Sequence, residues 1–430
     1  MAAVFYDLSE QFLANGHRFR YYGIVRTVME VGYEMARHRD VRFVIYSPAH
    51  GRFFEVTPRL DAASPTGVMD PGLPPEATPI RLRQSYPTRN IVRDTLLRLI
   101  RPVVRRINLR RWAHVPEGAA RPVDMSGQIL VALGRPKIIA DYLVNMEKNG
   151  TDLRMAPLLH DMIPLHAFTN SEQNIFSSHF MHDNRQVIRH SALILANSEF
   201  TRQEITDFGD EGHFENLPEV VAVPLAHELR TTQEPVTMEV PQTPYLLCVG
   251  TMTGRKNLEC VMDALVTLAE AGRPVPDLVL AGARRKRAED YVREARFSAL
   301  QGKIHFRYSP NQAELRALYE GALALVIPSY MEGWGLPLGE AHWVGTPGLA
   351  STAAALREAG GDLARYFDPA APAELAGLID ELQSDPAATR ALRTRIATAR
   401  PNLRRWADVA EDILRAVRRH LPAEARKTGT

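Results

Sequence analysis

Two stretches of this chain set charged side chains into glycine-rich loops in a way that suits phosphate and sugar chemistry. The first is Val249-Gly250-Thr251-Met252-Thr253-Gly254-Arg255-Lys256-Asn257-Leu258. An apolar run precedes it and a helical pattern follows, so Arg255 and Lys256 stand at a strand–loop–helix junction. Cations at a helix start oppose the helix dipole and therefore point to an anionic partner. Two of them suit a diphosphate that gains charge as it leaves. The plainer reading is a solvated basic pair. The second stretch is Pro328-Ser329-Tyr330-Met331-Glu332-Gly333-Trp334-Gly335-Leu336-Pro337-Leu338-Gly339-Glu340-Ala341. Gly333 and Gly335 allow a ligand to approach the backbone closely, Pro337 suits the first turn of a helix, and the N–H groups at that helix start favour an anion. Glu332 and Glu340 are too far apart for an i,i+4 pair, so they can address separate parts of one ligand, such as the hydroxyls of a sugar and of a ribose. Taken alone, Glu340 is explained as a helix-start carboxylate worth about 0.3–1 kcal/mol, and Glu332 has a solvated turn as its alternative.

The first half contributes His160-Asp161-Met162-Ile163-Pro164 and Asn197-Ser198-Glu199-Phe200-Thr201-Arg202, each closing an apolar run. His160 offers a hydrogen bond to a sugar or to developing charge, against the plainer reading of a structural histidine. Ser198 reads as a helix N-cap. A metal site finds little support, because His160-Asp161 and the pair His179 and His182 lack further ligands at recognisable spacing. No Gly-x-Gly-x-x-Gly follows a strand, which argues against a nicotinamide dehydrogenase.

These residues need elements to position them. Short β-branched runs alternate with helical periods, the pattern of parallel sheets covered by helices, so the fold class is α/β. Strands are expected at 4–8, 41–46, 128–133, 157–160, 192–196 and 220–223 in a first domain, 1–225. A second domain, 244–400, carries strands at 245–249, 278–281, 304–307, 323–328, 348–350 and 363–367. Between them 226–243, with Pro235 and Pro241, reads as a linker. The segment 401–430 holds a last helix that can pack back on the first domain, followed by a tail. Residues 48–125 show no clear strand and read as an insertion. Within it 89–111 carries Arg89, Arg93, Arg98, Arg101, Arg105, Arg106, Arg110 and Arg111 beside an apolar stripe of Val92, Leu96, Leu99, Ile100, Val103 and Ile107. That pattern fits an interfacial helix on anionic lipid, and equally a surface helix with its stripe on the sheet.

Composition bounds the rest. At 430 residues two domains of roughly 200 residues are the default. With 52 basic and 50 acidic residues the net charge is +2, too small to drive nucleic-acid binding, and the arginine run has only Trp112 as an aromatic. Two cysteines, Cys248 and Cys260, fit a reducing, cytoplasmic setting. No apolar run is long enough to span a membrane, and the N-terminal residues do not read as a signal peptide.

The order Gly250, Arg255-Lys256-Asn257, Pro328-Ser329, Glu332-Gly-Trp-Gly-Leu-Pro, Glu340-Ala341 and Gly345-Thr346-Pro347 resembles the donor domain of family 4 retaining glycosyltransferases over about 245–400. Its hallmark is two glutamates with seven residues between them. The resemblance implies a GT-B fold, two doubly wound Rossmann-like domains facing a central cleft. It implies that Arg255 and Lys256 hold a donor diphosphate, Glu332 the donor sugar and Glu340 the ribose. Gly250, Asn257, Gly333, Trp334, Gly335 and Leu336 would complete that side, with Tyr308 and Ser309 bordering the base. His160 and Asp161 resemble the strand end of bacterial mannosyl- and rhamnosyltransferase-like members, with His160 near the reacting face of the sugar. Family members often carry a glycine pair after the first strand, where this chain offers Gly16 and Gly23 instead. Gly339 and Gly348 replace usually apolar positions. The implied function is transfer of a sugar from a GDP-, UDP- or dTDP-linked donor to a glycan or lipid-linked acceptor in surface-polysaccharide or glycoconjugate synthesis. No cofactor, metal or nucleic acid is implied, and the setting is cytoplasmic or at the inner face of the plasma membrane. The rivals are a non-catalytic nucleotide-binding scaffold and a same-fold epimerase or phosphorylase.

Overall fold

A computed structural model describes residues 3–14, 23–64, 67–83, 85, 91–166, 174–231, 234–252 and 254–421. Contacts divide them into two compact units. The first comprises the chain up to Asn197, Thr201–Val223 and the segment from Trp406; the second comprises Ser198–Phe200 and Pro224–Arg405.

The first unit is built on β1 (Val4–Asp7), β2 (Val41–Ser47), β3 (Arg52–Val56), β6 (Ala120–Pro122), β7 (Ile129–Ala132), β8 (Arg154–Leu159), β9 (Ile194–Ala196) and β10 (Val220–Ala222), with a separate ladder of β4 (Arg59–Leu60) and β5 (Met69–Asp70). The main sheet runs β10-β9-β8-β7-β1-β2-β3-β6. It is parallel from β10 to β2, and β3 and β6 add antiparallel strands at one edge. The expectation of no strand in 48–125 is thus corrected. β3 returns from β2 through a tight turn, and β6 tolerates Pro122 because an edge strand need not use every N–H. The central strands are buried runs of Val, Ile, Leu and Phe, as two covered faces require. The helix Trp406–Arg418 packs on the helix Ile24–Met35 in this unit, burying Trp406, Val409, Ile413, Leu414 and Val417. Arg418 closes the contact with both oxygens of Asp40.

In the second unit β11 (Tyr245–Val249), β12 (Asp277–Gly282), β13 (Ile304–Tyr308), β14 (Ala324–Ile327), β15 (Gly348–Ser351) and β16 (Arg365–Phe367) form one parallel sheet in the order β13-β12-β11-β14-β15-β16. Leu246, Cys248, Val261, Leu265, Leu278, Val326 and Ile379 lie in its core. Cys248 and Cys260 are free thiols, and burial pushes both up to about 12, so they act as small hydrophobes. The described residues of 226–243 form no helix or strand, yet they make a strap on the second unit rather than a tether. Glu314 Oε1 accepts from the Thr237 hydroxyl at 2.7 Å and from the backbone N–H groups of Thr237 and Met238 at 3.2 and 3.0 Å. The same carboxylate side chain completes a capping box with Asn311 at the start of the helix Gln312–Gly321.

Candidate active site

In each sheet the strand order reverses once among the parallel strands, and such a reversal opens a crevice at the carboxyl ends. In the second unit the reversal lies between β11 and β14, so the loops after these two strands meet. Backbone bonds join them: the Tyr330 N–H donates to the Arg255 carbonyl at 3.0 Å, and Arg255 Nη1 donates to the Met331 carbonyl at 2.6 Å. Glu332 is buried between two cations. Arg255 Nη1 lies 2.9 Å from Glu332 Oε2, and Lys256 Nζ donates to Oε1. Burial alone would raise the Glu332 carboxyl, but Lys256 and Arg255 overcome it and hold the group down at about 2. A solvated turn at Glu332 is therefore ruled out. Two cations to one carboxylate leave an excess positive charge, which is what a diphosphate needs.

The surrounding backbone fits this role. Gly335 has φ 109°, and a Cβ there would lie 2.5 Å from Leu356 Cδ2, so the turn into the helix Leu336–Trp343 requires glycine. Gly333 lies between Glu332 and Trp334 in that turn. Trp334 is buried, its ring 6.1 Å from that of His227, and its indole N–H has no partner. Gly250 ends β11, and a Cβ on Gly282 would lie 2.5 Å from the Gly250 carbonyl oxygen. Gly282 was not anticipated, although Leu-Ala-Gly closing β12 repeats the signal of Cys-Val-Gly closing β11. Glu340 is 3% exposed and accepts from the Tyr319 hydroxyl at 2.7 Å, a partner the sequence did not announce. Tyr308 is 39% exposed, stacks on Phe306 and donates to Glu289, while Arg284 lies over its ring. Ser309 follows in the left-handed region at φ 50°, its N–H on the Gly282 carbonyl at 2.8 Å.

Asn257 has a structural role. Its side chain caps the helix Leu258–Glu270 and donates to the carbonyls of Pro328 and Pro369 at 3.2 and 2.8 Å, so it staples three segments beside the site. Gly339 and Gly348 are also positions of close packing. Cβ atoms there would lie 2.9 Å from His227 Cα and 2.3 Å from Leu338 Cδ1.

In the first unit the reversal lies between β1 and β7. His160 follows β8, and its Nε2 donates to the Leu133 carbonyl at 2.7 Å. Burial lowers its pKa, against an upward pull from that carbonyl and from Glu10. The neutral ring then keeps Nδ1 as an acceptor, able to take a hydrogen bond from a hydroxyl. Asp161 accepts from the Ile163 N–H at 3.2 Å, a local turn contact. Gly23 precedes the helix Ile24–Met35 at φ 61°; Gly16 lies outside the described residues. The sequence reading missed a polar cluster at this reversal. Asp7 accepts from the Ser9 N–H and the Tyr142 hydroxyl at 2.8 and 2.9 Å, and burial pushes it up to about 6. Glu10 holds Arg135 Nε at 2.7 Å, and neither polar atom of the neighbouring Gln11 amide has a partner. Among the described residues no three His, Cys, Asp or Glu side chains converge as metal ligands do.

Both second-unit loops fall within a segment that matches a known family. Residues 230–400 match the glycosyl transferases group 1 family. The chain is 33% identical over 143 residues to the O-antigen chain mannosyltransferase B of Escherichia coli, covering 33% of this chain and 37% of that protein, little more than a third of the relative's length. Among solved structures, sucrose-phosphate synthase from Thermosynechococcus elongatus superposes with a TM-score of 0.63 at 16% identity, covering 97% of this chain and 99% of that one. Anabaena HepE in complex with UDP-glucose gives 0.60 at 14% identity, covering 97% and 99%. The fold is GT-B. The group 1 segment contains Gly250, Arg255, Lys256, Tyr308, Glu332 and Glu340.

Proposed function

We propose that this chain is a retaining, metal-independent glycosyltransferase of family 4 that moves a sugar from a nucleotide-sugar donor to a glycan or lipid-linked acceptor in surface-polysaccharide or glycoconjugate synthesis. The observation that carries the reading is Glu332 held between Arg255 and Lys256 at the β11/β14 reversal, inside the group 1 segment. The sugar–phosphate bond loosens toward an oxocarbenium-like state while the acceptor hydroxyl attacks from the same face. The hydroxyl's proton passes to the leaving phosphate oxygen, so no protein nucleophile is required. Arg255 and Lys256 take the charge that develops on the diphosphate, a contribution of about 3–4 kcal/mol in well-studied sites. Glu332 accepts from hydroxyls of the donor sugar and Glu340 from the ribose. His160, through Nδ1, accepts from a sugar hydroxyl. The resemblance to an O-antigen mannosyltransferase and the His160-Asp161 pair favour a mannose or deoxyhexose donor, and the UDP-glucose complex of HepE keeps a UDP-linked donor in the panel. The reaction belongs at the cytoplasmic face of the membrane, where lipid-linked acceptors are reached.

The test is a thermal-shift panel of GDP, UDP, dTDP and their sugars without added metal, on the wild type and on Arg255→Ala. One nucleotide should raise the wild-type melting temperature and leave the variant unmoved. No shift with any nucleotide, or an equal shift in the variant, overturns the diphosphate assignment and moves the reading to a non-catalytic scaffold.

A further inference from the structure

The helix Ile91–Trp112 packs the opposite way round from an ordinary surface helix. Its inward side is anchored by polar groups, with Leu97, Val104 and Ile107 half-buried among them. Asn108, 3% exposed, exchanges two hydrogen bonds with the backbone of Ile80 at 2.8 and 2.9 Å. Arg105 donates to the Ala49 carbonyl at 3.2 Å and Arg111 to the Thr78 carbonyl at 2.8 Å. Trp112 closes the end on Phe54, ring centres 4.5 Å apart. Behind this face lies a cavity of about 300 Å³ lined in part by Arg101, Arg105, Asn108, Asp141 and Asn145.

The apolar stripe therefore points outward. Val92 is 78% exposed, Leu96 54%, Leu99 69%, Ile100 37% and Val103 58%. At about 100° per residue these five fall within an arc of roughly 100°, whose centre lies about 130° from Asn108 and nearly opposite Arg105. With Leu109 they make up six of the nine exposed large hydrophobics among the described residues. The helix also carries seven arginines against one aspartate, in a chain whose net charge is +2. Arg98, Arg106 and Arg110 are exposed, and Arg106 borders the stripe. No described helix is long and apolar enough to cross a membrane.

We infer that this helix docks on the surface of an anionic lipid bilayer, with the stripe at the acyl boundary and the flanking arginines among the lipid phosphates. Charge decides between occupants. A second copy laid stripe on stripe would bring arginine rims together, whereas an anionic bilayer offers apolar depth and negative charge in one surface. The inference rests on the first unit alone and stands whether or not the sugar-transfer reading holds.

The experiment is co-sedimentation of the full chain with phosphatidylcholine vesicles, with and without about 30% phosphatidylglycerol. It compares the wild type, the triple variant Leu96→Ser/Leu99→Ser/Val103→Ser and the double variant Arg106→Gln/Arg110→Gln. The wild type is expected to bind anionic vesicles at least about tenfold more tightly than neutral ones, with binding falling as salt rises. Each variant should lose about tenfold or more at unchanged melting temperature, since the altered side chains are exposed. A second readout needs no loss of function: Leu99→Cys labelled with an environment-sensitive fluorophore should shift to the blue on anionic vesicles, with Cys248 and Cys260 too buried to react. A wild type that ignores anionic vesicles, a serine variant that binds as well as the wild type, or a label that stays in water overturns the inference. So does a wild-type dimer that the serine substitutions convert to monomer, which would assign the stripe to a second copy.

Discussion

Glu332→Gln separates the two roles of the buried ion cluster. In the folded protein the carboxyl sits at about 2 against an ordinary 4.5, a gap equivalent to about 3 kcal/mol in favour of the ionised form. Glu332 is only 7% exposed, so solvent screening takes little from that figure. A group whose folded pKa is depressed gives its full stabilisation above the unfolded value and loses it as pH falls toward the folded one. The deficit of Glu332→Gln should thus be about 3 kcal/mol at pH 7 and shrink to about 2 kcal/mol near pH 3.5. At roughly 2–4 °C per kcal/mol for a domain of this size, the melting temperature should drop by about 6–12 °C at neutral pH. A nucleoside diphosphate can supply the missing negative charge. Its stabilisation should therefore be larger in the variant than in the wild type, while sugar transfer falls by about a hundredfold because the sugar loses its carboxylate. The assay is scanning fluorimetry across pH with and without nucleotide, paired with turnover. Equal melting temperatures at pH 7, or nucleotide stabilisation that is smaller in the variant, would falsify the view that Arg255 and Lys256 are shared between Glu332 and a diphosphate.

Two further outcomes follow from single side chains. His342 is fully buried with neither ring nitrogen hydrogen-bonded, and burial, with His227 and Arg395 adding to it, lowers its pKa to about 3. Its neutral form is in place above about 6.5, and stability is lost as pH falls below that value, by about 1.4 kcal/mol per unit. His342→Leu should flatten the melting-temperature profile between pH 7.5 and 5.5; a profile parallel to wild type would refute this. Gly335→Ala must push its Cβ toward Leu356 from a left-handed backbone and should destabilise by about 1–3 kcal/mol. A wild-type melting temperature would show that the turn relaxes freely.

Much of the second unit was legible because its strands are short β-branched runs and its loops carry unusual residue types at strand ends. The spacing of Arg255, Lys256 and Glu332 indicated two loops and a polyanion; it gave no hint that the acid and the cations bind one another. That contact depends on β11 and β14 being neighbours, a consequence of topology and not of local pattern. The structural role of Asn257 was hidden for a related reason. Its carbonyl partners Pro328 and Pro369 are distant in sequence, so a staple and a ligand contact look alike on paper. Glu10, Arg135 and Leu133, which surround His160, are joined only by the reversal between β1 and β7. β3 and β6 went unread because Arg52–Val56 is brief and β6 contains a proline, and an edge strand imposes weak constraints on sequence.

The arginine helix shows a different kind of limit. Periodicity fixes the angle of an apolar stripe on its own helix but says nothing about which way the helix turns when it docks. That is decided by what lies opposite, here the backbone carbonyls of Ala49, Thr78 and Ile80. Asn108, Arg105 and Arg111 donate to those part-buried carbonyls, and each such hydrogen bond is worth about 0.5–1.5 kcal/mol. Turning the stripe inward would forfeit three such contacts. The helix is held by its polar face, so the outward stripe is a stable feature of the fold that requires no opening of the first unit before a surface can receive it.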